Sequence, residues 1–329
     1  MLLKDIGEEG FIKSISLPQE DNENILVPMG DDAGAYSTTN GAISLVSCHM
    51  MVEGSHFLRN WSTPFQIGVK AITKSVADIE AMGGNSKYLI VGLSLPPETD
   101  LNFVKELYQG FNYANSQCGI SILGGDITDC QGPITISLTI IGEVNPEHLI
   151  RKKGAQPGDY IVVTGELGAA GTGLFLLMEK PASKDKSAAE EAVKQQLQIE
   201  PQHRKGQIMA RTGAVTAMTD ISDGLVANLA KLCSASECGA ILQEKAIPVA
   251  RSAQIIAEEN NVDPLRFALF GGEDYELIAT IKESQIDMVR QKMTEQGYKL
   301  YIIGQCTSQR GIHMNGQALE ISGFDHFQP

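Results

Sequence analysis

The chain has 329 residues, and because single hydrophobic cores stop growing near ~250–300 residues, we expect two domains. Hydrophobic residues make up 43 % and charged residues 20 %, which is typical of a folded globular chain and argues against disorder. The formal charge of −14 disfavours nucleic acid and anionic membranes as partners, because their binding depends on basic surface.

Strand and helix patterns alternate along the chain, which predicts an α/β or α+β fold. Runs rich in β-branched residues predict strands at 42–47, 88–95, 134–141, 160–164, 214–219, 276–281 and 299–303. Helical spacing of apolar residues predicts helices at 65–82, 101–117, 170–179, 203–212, 224–233, 249–260 and 284–296. The helix at 65–82 is the best defined, because it ends at a Gly83-Gly84 stop signal.

Composition also divides the chain. A domain junction is predicted near 145–158, where turn residues and a basic run precede a new strand. We therefore expect one domain at 1–148 and a second at 149–329. The segment 181–198 is rich in Ala, Ser, Lys, Glu and Gln, and it predicts an exposed helix or a mobile insertion.

The cysteines and the apolar runs indicate the compartment. Six dispersed cysteines form neither a C-x-x-C pair nor a metal-ligand spacing, so free thiols are expected. The longest apolar stretches, such as 88–95, are shorter than the ~18 residues that a membrane helix needs, and no secretion signal is found. We therefore expect a cytoplasmic protein that does not bind a membrane.

Clusters of glycine and acidic residues recur at 29–32, 124–126, 220–224 and 271–274. Each cluster alone fits a turn, in which Gly supplies the geometry and Asp or Ser caps the next helix. Together they fit a magnesium site, because Mg²⁺ takes oxygen ligands from one or two carboxylates and from substrate phosphates. Both interpretations stay open for each cluster.

Three other features have two interpretations each. Asp78, inside the predicted helix 65–82, either pairs with Lys74 one turn earlier or faces a ligand past its small neighbours. His56 is either a structural histidine or a ligand contact. The run 165–171 between a strand and a helix is either a tight turn, which we favour, or a phosphate cradle.

In their order and spacing, the motifs resemble those of the thiamine-monophosphate kinase family, in the superfamily of aminoimidazole ribonucleotide synthetase. The resemblance spans nearly the whole chain and rests on residues 29–33, 52–57, 77–78, 81–83, 124–126, 154–159, 220–225, 271–277 and 323–327. The chain lacks the Walker phosphate loop and the Gly-rich fingerprint of protein kinases, so the common nucleotide folds are disfavoured.

The resemblance implies two α/β domains and a homodimer whose N-terminal mixed sheets pair across the two-fold axis. It implies phosphorylation of thiamine monophosphate to thiamine diphosphate by direct in-line transfer from ATP, with several Mg²⁺ ions. The N-terminal domain would bind ATP and Mg²⁺ and form the dimer. The C-terminal domain would complete the nucleotide and substrate sites.

The resemblance also implies roles for individual residues, by motif position. The metal ligands would be Asp31, Asp32, Ser47, Asp78, Asp126, Asp220 and Asp223. ATP contacts are implied for Gly125, Asp126, Lys152 and Ser222, and thiamine monophosphate contacts for His56, Glu273 and Phe324. Asp126, Asp223 and Asp78 would be the catalytic residues.

The chain departs from the family pattern at His49, which aligns with a metal-bridging aspartate. Imidazole suits transition metals better than Mg²⁺, so we expect at least one ion to bind more weakly. Two alternatives to the kinase therefore stay open. One is a noncatalytic or altered-metal relative that binds nucleotide or thiamine phosphate, and the other is a sister ATP-dependent synthetase.

Overall fold

The computed structural model describes residues 5, 24–27, 31–38, 41–324 and 326–327. Met29, Gly30 and Asp325, which belong to the sequence motifs, lie outside the described residues. Across the ranges that the structure describes, no helix is both long and apolar enough to cross a membrane.

The first half of the chain builds a mixed sheet of six strands. The strands are β1 (Ile25–Val27), β2 (Gly34–Ser37), β3 (Ile43–Val52), β4 (Asn85–Leu95), β5 (Ser121–Asp129) and β6 (Thr135–Val144), in the order β1-β2-β3-β6-β4-β5. β4 and β5 are parallel, and the other pairs are antiparallel. The predicted strands at 42–47, 88–95 and 134–141 are confirmed. The sequence does not predict β5, because its residues, with two adjacent glycines, show no apolar alternation. In the structure, most residues of β5 are exposed.

Two helices accompany this sheet, α1 (Pro64–Ala81) and α2 (Leu101–Cys118), and both are helices that the sequence predicts. α1 packs on β3, β4 and β6, and α2 packs on α1. α1 begins at a capping box, in which the side chains of Thr63 and Gln66 each accept the other's backbone amide. The two helices approach backbone to backbone, since a Cβ on Gly68 would lie 2.3 Å from the Leu107 carbonyl oxygen. This contact fixes the position of α1.

The opposite face of the six-stranded sheet carries exposed apolar side chains. Met50 on β3 is 54 % exposed, and Tyr88 and Ile90 on β4 are each 41 % exposed. Because successive residues of a strand point to opposite faces, these residues lie on the side away from α1 and α2.

The second half of the chain builds a mixed sheet of seven strands. They are β7 (Tyr160–Val163), β8 (Val215–Asp220), β9 (Gly239–Leu242), β10 (Leu277–Ile281), β11 (Tyr301–Thr307), β12 (Gly311–Met314) and β13 (Gln317–Ala318), in the order β13-β12-β9-β11-β7-β10-β8. The predicted strands at 160–164, 214–219, 276–281 and 299–303 are confirmed. β9, β12 and β13 have four residues or fewer, which is too short for a clear periodic signal.

Seven helices of the described chain accompany this second sheet. They are α3 (Ala169–Glu179), α4 (Lys186–Leu197), α5 (Lys205–Ala210), α6 (Leu225–Ser236), α7 (Arg251–Glu259), α8 (Pro264–Phe270) and α9 (Ile286–Glu295). All but α4 and α8 lie within the helices predicted by periodicity, apart from a few residues at their ends. With the first sheet, they complete a two-domain α/β fold of the predicted class.

The segment 181–198 forms a helix, as one of its two interpretations predicts, but the helix is not fully exposed. It contains α4, whose Ala188 and Ala192 are buried. α4 packs closely on α3, since a Cβ on Gly173 would lie 2.2 Å from the Ala192 carbonyl oxygen. Small alanines form this inner face, so the sequence shows few large apolar residues even though the helix is packed.

Helix α1 also contacts the second half of the chain. The Glu80 carboxylate accepts the backbone amide of Gly206 at 2.9 Å and the side-chain amide of Gln207 at 2.8 Å, both in α5. Burial raises the Glu80 pKa to about 7. α1 is therefore bound to both sheets, and its polar residues lie where the two halves meet.

Candidate functional site

Asp78 lies in α1 and is held by residues of β3. Its Oδ2 accepts the Ser47 hydroxyl, and His49 Nε2 lies 2.6 Å from the same oxygen. The side chains of His49 and Asp78 are only 19 % and 11 % exposed. The interpretation of Asp78 as a solvated partner of Lys74 is therefore wrong, because the helix turns this face toward the sheet.

Lys152, in the segment between the two sheets, binds two aspartates near the start of β2. Its ammonium group lies 2.9 Å from Asp32 Oδ1, and its backbone amide donates to the Asp31 carboxylate at 3.1 and 3.2 Å. Thr219 of β8 also donates to Asp32 Oδ1, at 2.9 Å. Burial, opposed by Lys152, raises the Asp32 pKa to about 6.

The end of β8 supplies two more carboxylates. Asp220 is buried, and its pKa lies well above the usual value because of burial and then because of the negative charges of Asp32, Asp78 and Asp223. Ser222 donates its hydroxyl to Asp220 at 3.3 Å. Asp223 binds the ammonium group of Lys231 at 2.8 Å. Four carboxylates from different parts of the chain thus lie within electrostatic reach of one another.

We name Asp32, Asp78, Asp220 and Asp223 the acidic cluster. Its carboxylate oxygens are the donors that Mg²⁺ prefers. Asp32 Oδ2 is buried and has no hydrogen-bond partner among the residues that the structure describes, which fits an oxygen available to a cation. As the side chains stand, no three acidic, imidazole or thiol groups of the described chain converge on one ion position. The donor chemistry fits magnesium, but Lys152 and His49 bind two of the carboxylates.

Gly125 and Asp126 lie apart from the acidic cluster, on the edge strand β5. Asp126 is exposed, and its carboxylate accepts the adjacent Ile127 amide at 3.0 Å. It shares a row of the sheet with Gly92 and Met50, on the face away from α1. In a single copy of the chain, the structure does not bring Asp126 into hydrogen-bond contact with the cluster.

A cavity of about 690 Å³ opens beside the acidic cluster, and we name it the acceptor cavity. It is lined by the predicted substrate residues His56, Glu273 and Phe324, by Ser222 and Asp223, and by further residues that include Trp61, Lys70, Lys74, Gln196, Arg266, Phe270 and His326. Its volume falls within the ~300–1,000 Å³ that small-molecule sites occupy. Its aromatic wall and few charged groups suit an aromatic ligand that carries charge.

Glu273 is held in the acceptor cavity by two donors on distant elements. Lys70 Nζ lies 2.7 Å from Glu273 Oε2, and Gln196 Nε2 lies 2.6 Å from the same oxygen. Burial alone would raise the Glu273 pKa, but Lys70 and Gln196 hold it below the usual value. The carboxylate therefore stays ionised, and its position depends on both α1 and α4.

His56 is a neutral ring in the same cavity. Its Nδ1 accepts the Val52 amide at 3.1 Å, which leaves Nε2 to carry the proton. Burial and then the charge of Lys74 lower its pKa to about 4. The ring centroids of His56 and His326 lie 4.9 Å apart, and Phe324 packs edge-on against His326 at 4.7 Å. The tail of the chain thus closes one side of the cavity.

The run 165–171 forms a turn, as favoured. The Gly168 amide, at the start of α3, donates to the buried Asp274 carboxylate at 3.0 and 3.1 Å. A protein carboxylate thereby takes the place that a phosphate would occupy at this helix N-terminus.

Sequence reasoning missed Lys70, Lys74 and Gln196. The two lysines stand four and eight residues before Asp78, so helical spacing could have placed them on the same face. Gln196 gave no comparable signal, because it belongs to a segment with few large apolar residues.

Comparison with known proteins gives consistent matches along the chain. Residues 30–144 match the N-terminal domain of AIR synthase related proteins, and residues 156–316 match their C-terminal domain. The chain is 28 % identical to thiamine-monophosphate kinase of Bacillus subtilis, over 98 % of this chain and 100 % of that protein. It is 34 % identical to thiamine-monophosphate kinase of Mycobacterium tuberculosis, over 84 % of this chain and 81 % of that protein.

Solved structures agree with the sequence matches. AaThiL complexed with AMPPCP and TMP superposes with a TM-score of 0.87 at 27 % identity, covering 99 % of each chain. The chain is therefore similar to these proteins in sequence, in fold and in length.

Proposed function

The chain belongs to the thiamine-monophosphate kinases, within the AIR synthase related proteins, and we propose that it uses ATP to convert thiamine monophosphate to thiamine diphosphate. An oxygen of the acceptor phosphate attacks the γ-phosphorus of ATP in line. The bond from that phosphorus to the bridging oxygen breaks, and ADP leaves with the electron pair. The observation that carries the proposal is that Asp223 belongs to the acidic cluster and also lines the acceptor cavity.

The acceptor cavity suits the thiamine part of the substrate. Trp61, Phe270 and Phe324 offer aromatic faces, which attract a cationic heterocycle such as thiazolium. Glu273 is anionic, and we propose that it complements the same positive charge. His56 is neutral with a proton on Nε2, so it donates a hydrogen bond to the substrate.

The acceptor phosphate needs no strong base, because its second pKa of ~6 leaves it mostly dianionic at pH 7. The barrier is repulsion between two polyanions, since like unit charges at ~4 Å cost about 4 kcal/mol at an effective dielectric near 20. Bound Mg²⁺ would supply charge neutralisation at the phosphates. We propose that it is held by Asp31, Asp32, Ser47, Asp78, Asp220 and Asp223, whose number suits more than one ion.

Within this scheme, Lys152 and Ser222 contact the ATP phosphates from beside the acidic cluster. Lys152 now pairs with Asp32, and we propose that the nucleotide competes for this ammonium group. Asp78 and Asp223 act as catalytic residues, because they orient the phosphates at the boundary of cluster and cavity.

Gly125 and Asp126 are proposed to meet the nucleotide in a homodimer. Their strand β5 is an edge strand, and Met50, Tyr88 and Ile90 are exposed on the face that Asp126 shares. Pairing of two such faces would bury these apolar side chains and bring Asp126 to an interface. The resemblance to the family, rather than a contact within one copy, motivates the metal and catalytic role of Asp126.

We propose the same domain bounds and roles that the sequence and the resemblance predict. Residues 1–148 would bind ATP and Mg²⁺ and form the dimer, and residues 149–329 would complete the nucleotide and substrate sites. A cytoplasmic location is proposed because the six cysteines are free thiols.

One observation favours a second candidate, an altered-metal or noncatalytic relative that binds the same ligands. His49 ties up Asp78 Oδ2 at a distance of 2.6 Å. Because imidazole is a poor ligand for Mg²⁺, this end of the cluster suits a transition metal better.

Both candidates are tested by one product assay with purified protein, ATP, thiamine monophosphate and either Mg²⁺ or Mn²⁺. The kinase predicts thiamine diphosphate from the wild type and a loss of at least about 100-fold in Asp223→Asn. Asp287→Asn, on the exposed face of α9, is the matched control and should retain full turnover. Turnover only with Mn²⁺, or only in His49→Asp, would support the second candidate instead.

A dimer test belongs to the same proposal. Light scattering should give the mass of two chains for the wild type, and Met50→Lys should give the mass of one. If Asp126→Asn keeps full turnover in the dimer, the proposed role of Asp126 is wrong.

A further inference from the structure

Lys74 lies on α1 between Lys70 and Asp78, four residues from each. Side chains four residues apart share a helix face and are separated by ~6 Å along the axis. Lys70 is bound to Glu273 in the acceptor cavity, and Asp78 is bound to Ser47 and His49 at the acidic cluster. Lys74 therefore lies midway along this face of α1, between a residue of the acceptor cavity and a residue of the acidic cluster.

The ammonium group of Lys74 is available to a ligand. Lys74 is partly buried and lines the acceptor cavity, yet among the described residues no carboxylate lies within salt-bridge distance of it. Its positive charge still acts on His56 and Glu273 in the cavity, because it contributes to the lowered pKa of each. In a chain with a formal charge of −14, an unpaired cation in a cleft favours an anionic ligand.

We infer that Lys74 binds the phosphate group of the acceptor and offsets its charge where it meets the nucleotide. The inference rests on the proposed function, because that function brings a phosphate monoester into this cavity. It also bears on His49, which stands where the family has a metal-binding aspartate. If His49 weakens the binding of a metal ion, the ammonium group of Lys74 supplies positive charge one helical turn away from Asp78.

Arg266 is the competing candidate for the same phosphate. It lines the acceptor cavity from α8 and also has no carboxylate partner within the described ranges. Arg266 is exposed, however, and it lies on a different element from Asp78. A phosphate bound by Arg266 would stand against α8 instead of beside the acidic cluster.

The test compares two ligands that differ only by the phosphate. Thiamine and thiamine monophosphate are titrated by calorimetry into the full-length protein, without nucleotide or divalent ion. Lys74→Met keeps most of the aliphatic chain and removes the charge, and Lys74→Arg keeps the charge. Arg266→Met tests the competing residue, and Lys245→Met, on an exposed turn outside the cavity, is the matched control.

Lys74→Met should weaken thiamine monophosphate binding by about 10- to 100-fold, the loss of a charge-assisted hydrogen bond, and should leave thiamine binding within about 2-fold. Lys74→Arg and Lys245→Met should bind both ligands within about 3-fold of the wild type. The wild type should also lose its preference for the phosphorylated ligand as salt rises, and Lys74→Met should show less salt dependence.

Three results would overturn the inference: equal binding of thiamine monophosphate by Lys74→Met and the wild type, an equal loss for thiamine, or a selective loss only in Arg266→Met. In each case the wild type still binds thiamine monophosphate, so the proposed function survives. If the wild type binds neither ligand, the proposed function fails as well, and the two failures are thereby distinguished.

Discussion

Replacing Lys205 with methionine should destabilise the protein by about 3–5 kcal/mol, because it leaves the Glu276 carboxylate buried without its counter-charge. Lys205 Nζ lies 2.6 Å from Glu276 Oε2, and the two side chains are only 7 % and 12 % exposed. Thr164 donates its hydroxyl to the same oxygen at 2.6 Å and keeps this contact in the variant. The remaining hydrogen bond places the expected loss toward the lower end of the range.

Urea denaturation measures the effect, because a change in midpoint at constant slope reports a change in the free energy of unfolding. The double variant Lys205→Met/Glu276→Met removes both charges and should be more stable than either single variant. Lys292 and Glu295 form an exposed pair at 2.9 Å in α9, so Lys292→Met is the matched control and should cost less than about 1 kcal/mol. If Lys205→Met costs no more than Lys292→Met, or if the two single effects simply add, the argument from burial is refuted.

Three other predictions concern packing, protonation and metal binding. Gly68→Ala should lower the free energy of unfolding by about 1–3 kcal/mol, because its Cβ would lie 2.3 Å from a carbonyl oxygen of α2. Gly132 has open space around it, so Gly132→Ala is the control and should unfold like the wild type in calorimetry. Burial lowers the His56 pKa from 6.5 to about 4, so unfolding takes up a proton at pH values between these two. The free energy of unfolding should therefore decrease as the pH is lowered through this range. Urea denaturation at pH 7.5 and pH 5 should show a smaller decrease for His56→Gln than for the wild type. His49→Asp places a second carboxylate beside Asp78, and the repulsion between them should lower the thermal midpoint of unfolding without divalent ions. Added Mg²⁺ should then raise this midpoint more than it does in the wild type. Equal Mg²⁺ responses in the variant and the wild type would contradict the proposed metal binding by Asp78.

The sequence predicts elements well where large apolar residues repeat and poorly where small residues form the contact. α1 is predicted nearly to its ends, because its apolar residues recur at helical spacing and a glycine pair marks the stop. α4 is expected as an exposed helix, and its burial is missed because its inner face includes Ala188 and Ala192, which bury little surface each. The hydrophobic pattern detects large apolar side chains, whereas the close contact between α3 and α4 is made by glycine and alanine.

The site is predictable as residue types but not as contacts. The four members of the acidic cluster stand in Gly/Asp motifs or at a helical position that sequence analysis can single out. The bond between Lys70 and Glu273 joins residues 203 positions apart, and that between Gln196 and Glu273 joins residues 77 apart. Such partners are set by tertiary packing between distant elements, which no local pattern encodes.

The segment 273–276 anchors four neighbouring side chains, three through polar contacts and one through burial. Glu273 binds α1 and α4, Asp274 binds the start of α3, Tyr275 is buried, and Glu276 binds Lys205. Two of these residues have left-handed backbone angles, with φ of 65° at Glu273 and 48° at Tyr275. The length of this segment is consequently under stricter constraint than its composition: inserting or deleting one residue would shift all four anchors at once, whereas a single substitution releases only one.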